Sequence, residues 1–182
     1  MKVPARLATL LVAFTLLLPG TASAHEAFEG TVTPGTPFTW DGTRATAFNI
    51  SGFNNGNVAT CGEDIDDFCE YAHITANLPF PAGSTAKTYT KSLTFMIDTF
   101  DPPVTDFDMA LYTSDATGAK LDRLDFSGNN PGEAEDLSTS VRSTRTYNAD
   151  GTVATENITS YYLIEVVYFA AVNATYKGTA TF

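Results

Sequence analysis

The sequence predicts an all-β protein, an antiparallel β-sandwich of jelly-roll-like type, on three observations. Apolar and polar residues alternate with a period of two in several short runs rich in Thr, Val, Ile and aromatic residues. Turn sequences built from Gly, Pro, Asn and Asp separate these runs. No stretch beyond the N-terminal segment has helical periodicity for more than a turn or two. Many short strands spaced in this way are typical of a sandwich or barrel.

The N-terminal 24 residues have the pattern of a secretory signal peptide. The basic residues Lys2 and Arg6 precede an apolar run at residues 7–18, and Ala22-Ser23-Ala24 is a small-residue cleavage site. We therefore expect a signal peptide over 1–24, one β-sandwich domain over 25–182, and a secreted protein without a membrane anchor after cleavage. An uncleaved N-terminal anchor is the alternative.

The charge of the chain restricts its partners. It has 21 acidic and 10 basic residues, for a net charge of −11, and loss of Lys2 and Arg6 with the signal peptide lowers this to −13. Such a surface repels phosphate backbones, so nucleic acid is not expected as a partner. Adsorption to anionic lipid is disfavoured for the same reason.

The predicted strands can be placed one by one. Short runs rich in Thr, Phe and Ile come first, and clear alternation begins with the sequence YAHITANL and continues through KSLTFMIDTF and DFDMALYT. YYLIEVVYFAAV is the most apolar run. In chain order the strands are expected at 36–40, 44–51, 71–78, 91–100, 106–113, 161–172 and 175–182. The NADG sequence at 148–151 predicts a protruding hairpin spanning 142–156.

Alternation also predicts which residues form the core. In the run 106–113, Phe107, Met109 and Leu111 share one face, which we expect to be buried, and Asp106 and Asp108 share the solvent face. The remaining predicted core residues are Leu163, Val167 and Phe169, with Ile74 and Phe95 opposite.

Four carboxylates border the Pro-rich turn at 101–103, and calcium prefers oxygen ligands of this kind. They are Asp98, Asp101, Asp106 and Asp108, and they form a candidate calcium site. The simpler interpretation is that Asp106 and Asp108 are the solvated side of a strand. No cofactor other than calcium is indicated.

Cys61 and Cys69 are close in sequence, and in an oxidising compartment they are expected to form a disulfide. The segment they enclose, with Glu70 beside it, is acidic and matches no EF-hand spacing. We interpret it as a solvated acidic loop, with weak divalent binding as the alternative.

No catalytic motif is present: the chain has neither GxSxG nor HExxH, and no catalytic residue is predicted. Two alternatives to a non-enzyme remain. His25 would be the mature N-terminus and could bind copper together with His73, as nitrogen ligands suit copper(II). A hydrolase using unrecognised carboxylates such as Asp106 is the other. Aromatic residues could also line a carbohydrate groove, although core packing explains most of them: Trp40, Tyr71, Tyr112, Tyr161, Tyr162 and Tyr168.

The motif DFDMALYTSDATG, the turn NNPGEAED and the run SYYLIEVVYFAAVNATYKGTATF together resemble the bacterial pre-peptidase C-terminal domain family. The residues that carry the resemblance are Asp106, Asp108, Tyr112, Pro131, Glu133, Tyr161, Tyr162, Val166 and Tyr176. The resemblance implies a β-sandwich that accompanies secreted proteases and other exoenzymes as a non-catalytic module, some members of which bind calcium and substrate. The 142–156 hairpin is an insertion relative to that pattern.

The sequence thus predicts a secreted, non-catalytic binding or accessory module, stabilised by calcium. Its expected partner is an extracellular polymer or protein surface.

Overall fold

The computed structural model describes residues 27–48 and 69–182, and every regular element in them is a β-strand. Within these residues no helix is long and apolar enough to cross a membrane. The strands are β1 Ala27–Val32, β2 Phe38–Phe48, β3 Cys69–Asn77, β4 Thr88–Asp101, β5 Asp106–Ser114, β6 Lys120–Ser127, β7 Glu135–Tyr147, β8 Val153–Asn157 and β9 Thr159–Thr181.

The long strand β9 connects two layers. Its first half pairs with β3 on one side and β5 on the other, while its second half pairs with β2 and β4. The first sheet therefore has the order β1-β3-β9-β5-β6, and the second has the order β2-β9-β4-β7-β8. Asn173, which has a φ of 47°, lies between the two halves. An asparagine tolerates this left-handed conformation better than most residues do. The predicted all-β sandwich is confirmed.

One core cluster lies between the two sheets, and β5 contributes Phe107, Met109 and Leu111 to it. Ile74 of β3 and Phe95 of β4 join the same cluster, as predicted. Gly178 lies directly under the Trp40 indole, where an added Cβ would fall 1.9 Å from Cε2 of that ring. Only glycine therefore allows the Trp40 ring to pack flat on β9.

The predicted core residues of β9 are confirmed only in part, since Leu163 and Val167 are buried but do not belong to the main core cluster. The residues that enter the main core are the even-numbered ones Tyr162, Ile164, Val166 and Tyr168. The odd-numbered set Leu163, Val167 and Phe169 lies on the opposite face of the first sheet, in two smaller apolar clusters. An unbroken apolar run has no polar side from which its orientation can be read, so period two alone could not decide between the two faces.

Strand β5 is buried on both faces, which corrects the expectation that Asp106 and Asp108 lie on an open, solvated face. Asp108 is only 9% exposed and Asp106 is half-buried, while Ala110 and Tyr112 on the same face are buried. Phe126 of β6 and Tyr71 of β3 pack against Ala110 and Tyr112 from that side. The face that the sequence assigned to solvent is therefore a second packing layer.

Two further elements bear on the sequence predictions. The hairpin of β7 and β8 is confirmed, with its turn at Asn148–Gly151 closed by a hydrogen bond from the Gly151 N–H to the Asn148 carbonyl. Strand β1 pairs with β3 in parallel, which a purely antiparallel prediction did not include. Among the described strands, β1 ends the pairing order of the first sheet and is therefore an edge strand there.

Candidate functional site

An open groove runs over the outer face of the first sheet, beside the edge strand β1. One part of the groove has a volume of about 320 Å³, and its lining includes Tyr71, His73, Lys120 and Leu163. An adjoining part of about 470 Å³ is more polar and is lined mainly by the threonines Thr31, Thr75 and Thr117 with backbone of the β5–β6 turn. Both parts share Glu29, His73 and Thr117, so they form one continuous groove. We call it the β1–β3 groove.

The β5–β6 turn forms one wall of this groove. The Asp115 side chain organises the turn, since its Oδ1 accepts hydrogen bonds from the Thr117 and Ala119 N–H groups and from the Thr117 hydroxyl. These bonds hold the pKa of Asp115 below its ordinary value. Gly118, with a φ of 86°, allows the chain to reverse. The turn thereby reaches His73, whose Nε2 lies 3.3 Å from the Asp115 carbonyl oxygen.

Two aromatic residues, His73 and Tyr71, line the groove, and a third, Tyr161, borders it through its contact with His73. His73 of β3 stacks on Tyr161 of β9, with ring centroids 6.2 Å apart and an angle of 26° between the planes. Tyr71 lies two residues before His73 and so on the same face of β3. All three are partly exposed. Of the six aromatic residues considered for a carbohydrate groove, Tyr71 and Tyr161 thus reach the surface, while the other four are buried.

A partly buried ion pair closes the end of the groove. The Lys120 ammonium contacts the Glu165 carboxylate, which is 0% exposed, and lies 4.4 Å from the centroid of the Tyr112 ring and 5.8 Å from that of Tyr71. Burial and the nearby Glu165 raise the pKa of Tyr112 to about 12. The aromatic faces and the carboxylate together compensate the charge of Lys120, whose side chain is 31% exposed.

A second polar cluster joins the two sheets and consists of Asp106 and Asp108 of β5 with Glu135 at the start of β7. Burial first, and then the charges of Asp106 and Glu135, raise the pKa of Asp108 to about 7. Burial also raises the pKa of Asp106 and of Glu135. Glu135, which is 0% exposed, accepts hydrogen bonds from the Ser127 hydroxyl and, at 2.8 Å, from the Asn129 N–H. These three residues form the acidic cluster.

The predicted calcium ligands fall on two sheets. Asp106 and Asp108 pair with the first half of β9, whereas Asp98 and Asp101 pair with its second half through β4. Among residues 27–48 and 69–182, no three His, Cys, Asp or Glu side chains form a group that could hold a metal ion. Calcium binding by these carboxylates stays a prediction, and it would require backbone carbonyl or water ligands in addition.

Several predicted residues cannot be compared with the structure. His25 and Cys61 lie outside the described residues, so the copper site with His73 and the disulfide with Cys69 stay predictions. Cys69 itself is buried at the start of β3. Glu70, assigned to a solvated acidic segment, is instead buried, and its Oε2 accepts a hydrogen bond of 2.8 Å from the Tyr176 hydroxyl.

Sequence reasoning missed Lys120, Glu165 and Glu135. A signal for Glu165 exists, since it is the single charged residue within the most apolar run of the chain, and a charge in such a run is expected to be paired. Glu135 and Lys120 lie in polar segments that resemble ordinary surface. The burial of Glu135 and the pairing of Lys120 depend on which strands lie nearby, which no local pattern records.

Comparisons with known proteins yield a distant structural likeness. No protein-family model matches the chain, and no curated protein matches it. The pre-peptidase C-terminal domain of a collagenase from Bacillus anthracis is similar to it in structure, with 9% identity, a TM-score of 0.40, and coverage of 86% of this chain and 94% of that one. At this identity the likeness concerns the fold alone.

Proposed function

We propose that this protein is a secreted, non-catalytic binding module whose ligand site is the β1–β3 groove. The observation that carries the proposal is the composition of that groove. Partly exposed aromatic rings lie beside unburied polar groups, including Glu29 and Thr117, on a rigid sheet face. Concave sites with an aromatic floor and a few polar groups that orient the ligand are the usual form of binding sites.

Packing supports a binding role over a purely structural one. A structural sheet face either buries its aromatic residues or covers itself with charged and hydroxyl side chains. Here His73 and Tyr161 stack on each other while remaining partly exposed. The acidic cluster, where an acid-base pair would be sought, contributes no residue to the lining of the groove. The groove residues bind, in this proposal, and no covalent step is assigned to them.

Retention of the purified protein on insoluble extracellular materials tests the proposal. We expect retention on at least one of cell-wall, polysaccharide and collagen preparations, and its loss in His73→Ala. Tyr147→Ala is the matched control because it removes an aromatic residue of similar exposure from the β7–β8 hairpin, on the other sheet. Equal retention of both variants, or no retention of the wild type, would contradict a binding role of the groove. Degradation of the retained polymer would instead revive the hydrolase alternative.

We further propose that calcium stabilises the fold through Asp106 and Asp108. The raised pKa of both residues supports this, because a bound cation would offset the burial, and at Asp108 also the neighbouring negative charges, that disfavour their ionised forms. Asp108 also accepts no hydrogen bond from any described residue, so its oxygens are available as ligands. Asp98 and Asp101 are the remaining candidate ligands from the predicted set.

Thermal unfolding in calcium and in chelator checks this second proposal. We expect a higher melting temperature in calcium for the wild type and no difference for Asp108→Asn. The variants Asp98→Asn and Asp101→Asn test whether β4 supplies calcium ligands. Each should reduce the calcium-induced rise in melting temperature only if the replaced side chain is a ligand. A melting temperature that calcium leaves unchanged in the wild type rules out calcium stabilisation.

A further inference from the structure

The open shape of the β1–β3 groove favours an elongated ligand. The two parts of about 320 and 470 Å³ share Glu29, His73 and Thr117 and both open to solvent along the edge strand β1. A small molecule is normally held in a cavity that buries most of its surface. An open groove of this kind instead suits an extended chain that lies across the sheet and continues past both ends.

The floor of the groove suits a ligand with flat apolar faces. The rings of His73 and Tyr71 line the groove, and Tyr161 stacks on His73 at its border. The C–H faces of a sugar ring pack on such rings, as other apolar surfaces do. The walls provide the complementary polar groups, since Thr31, Thr75 and Thr117 supply hydroxyl groups and Glu29 supplies a carboxylate acceptor. Hydroxyl-rich ligands donate and accept hydrogen bonds in equal measure, which matches this lining.

The charge of the groove excludes anionic chains. Glu29 is exposed in both parts of the groove, and the whole chain carries a net charge of −11. The single lysine of the lining, Lys120, is compensated by the buried Glu165. A sulfated or uronic acid polymer would therefore meet an acidic surface with no uncompensated cation from the described lining.

From these three properties we infer that the β1–β3 groove binds one extended chain of an uncharged polysaccharide. A sugar ring packs on the His73–Tyr161 pair, and Glu29 and Thr117 accept hydrogen bonds from its hydroxyl groups. This inference rests on the proposed binding function and adds the chemical class of the ligand.

Affinity measurements on defined ligands test the inference. The panel contains neutral chains (cellulose, chitin, xylan and β-1,3-glucan oligosaccharides), anionic chains (alginate and heparin) and collagen peptides. We expect the wild type to bind at least one neutral chain, with the Kd raised about tenfold in Tyr161→Ala through loss of the aromatic contact. Glu29→Gln, at an exposed edge position that leaves the core intact, should raise the Kd as well. Tyr147→Ala should bind as the wild type does.

The outcomes separate the inference from the proposed function. Groove-dependent binding of collagen peptides or anionic chains alone would overturn the polysaccharide inference and leave a binding function of the groove intact. Binding of neutral chains that neither Tyr161→Ala nor Glu29→Gln weakens would overturn the assignment of the groove. Absence of groove-dependent binding to every member of the panel would overturn both.

Discussion

The outer faces of the two sheets differ in burial and in polarity. In the second sheet, β7 alternates regularly, and its outward residues are polar and exposed, from Asp136 to Thr146. In the first sheet, β5 is buried on both faces, and its second face carries Asp108. The carboxylates of the two ion pairs follow the same division, whereas their cations do not. Lys120 and Glu165 on the first sheet are 31% and 0% exposed, against 14% and 34% for Arg145 and Glu156 on the second.

The difference shows where the protein buries charged groups, whose removal from water is unfavourable in free energy. On the second sheet the Glu156 carboxylate is partly solvated, and changing it should alter little. On the outer face of the first sheet the carboxyl groups of Glu165 and Asp108 are largely removed from water and must be compensated by a partner or carry a changed pKa. The β1–β3 groove lies on this first sheet, as do Asp106 and Asp108 of the acidic cluster, whose third member, Glu135, begins β7. Two substitution experiments, each paired with a control on a solvated strand, test whether the contrast is real.

The largest effect is expected from the ion pair. Lys120→Met leaves the Glu165 carboxylate buried without its main compensating charge, and we expect a loss of about 3 kcal/mol in the free energy of unfolding. Denaturant unfolding measures it. On the second sheet, Glu156→Gln breaks a comparable pair that solvent screens, and the expected loss is below about 1 kcal/mol. Similar losses in both variants would show that the two faces do not differ electrostatically.

A smaller effect of opposite sign is expected at Asp108. Its pKa is raised from 3.8 to about 7 in the folded protein, so its ionised form is disfavoured there. The resulting penalty is absent below pH about 4, grows as the pH rises toward 7, and is complete above it. The shift corresponds to at most about 4 kcal/mol, and the unpaired amide of an asparagine offsets part of the gain. We expect Asp108→Asn to stabilise the protein by about 1–2 kcal/mol at pH 8 in chelator.

The pH dependence supplies the control for this prediction. The wild type should lose stability between pH 4 and 7 relative to Asp108→Asn, because only the wild type must ionise the buried carboxyl group. Asp122→Asn, on the exposed strand β6, should follow the wild type at every pH. Parallel stability profiles for the wild type and Asp108→Asn would mean that Asp108 is solvated, as the sequence alone had indicated.

Local pattern was sufficient for the strands that have one polar face. The alternation of the β3, β4 and β5 segments predicted their type and approximate extent, and the NADG turn predicted the β7–β8 hairpin. Local pattern failed for the strands whose two faces are both covered by other parts of the protein. The run containing Glu165 has no polar side, and its predicted core residues lie outside the main core cluster. The same failure placed Asp108 in solvent, because an aspartate in an alternating run is usually on a wet face.

The aromatic residues also show the limit of local sequence patterns. The sequence offered six candidates for a carbohydrate surface, and nothing local distinguishes Tyr161 from its neighbour Tyr162. Pairing in the sheet does, since Tyr161 faces His73 on the outer side while Tyr162 enters the core against Phe95. Cross-strand neighbours, which are distant in sequence, therefore decide which rings can meet a ligand.

The sequence by itself determined that this protein is an all-β sandwich with a strongly acidic composition and no recognised catalytic motif. These properties depend on period, turn chemistry and residue counts, which are local or additive. Only the tertiary structure decided that β5 is buried on both faces, that Lys120 compensates Glu165, and that His73 and Tyr161 meet in a groove. Each of these depends on which strands lie side by side, and that is set by the packing of the whole chain.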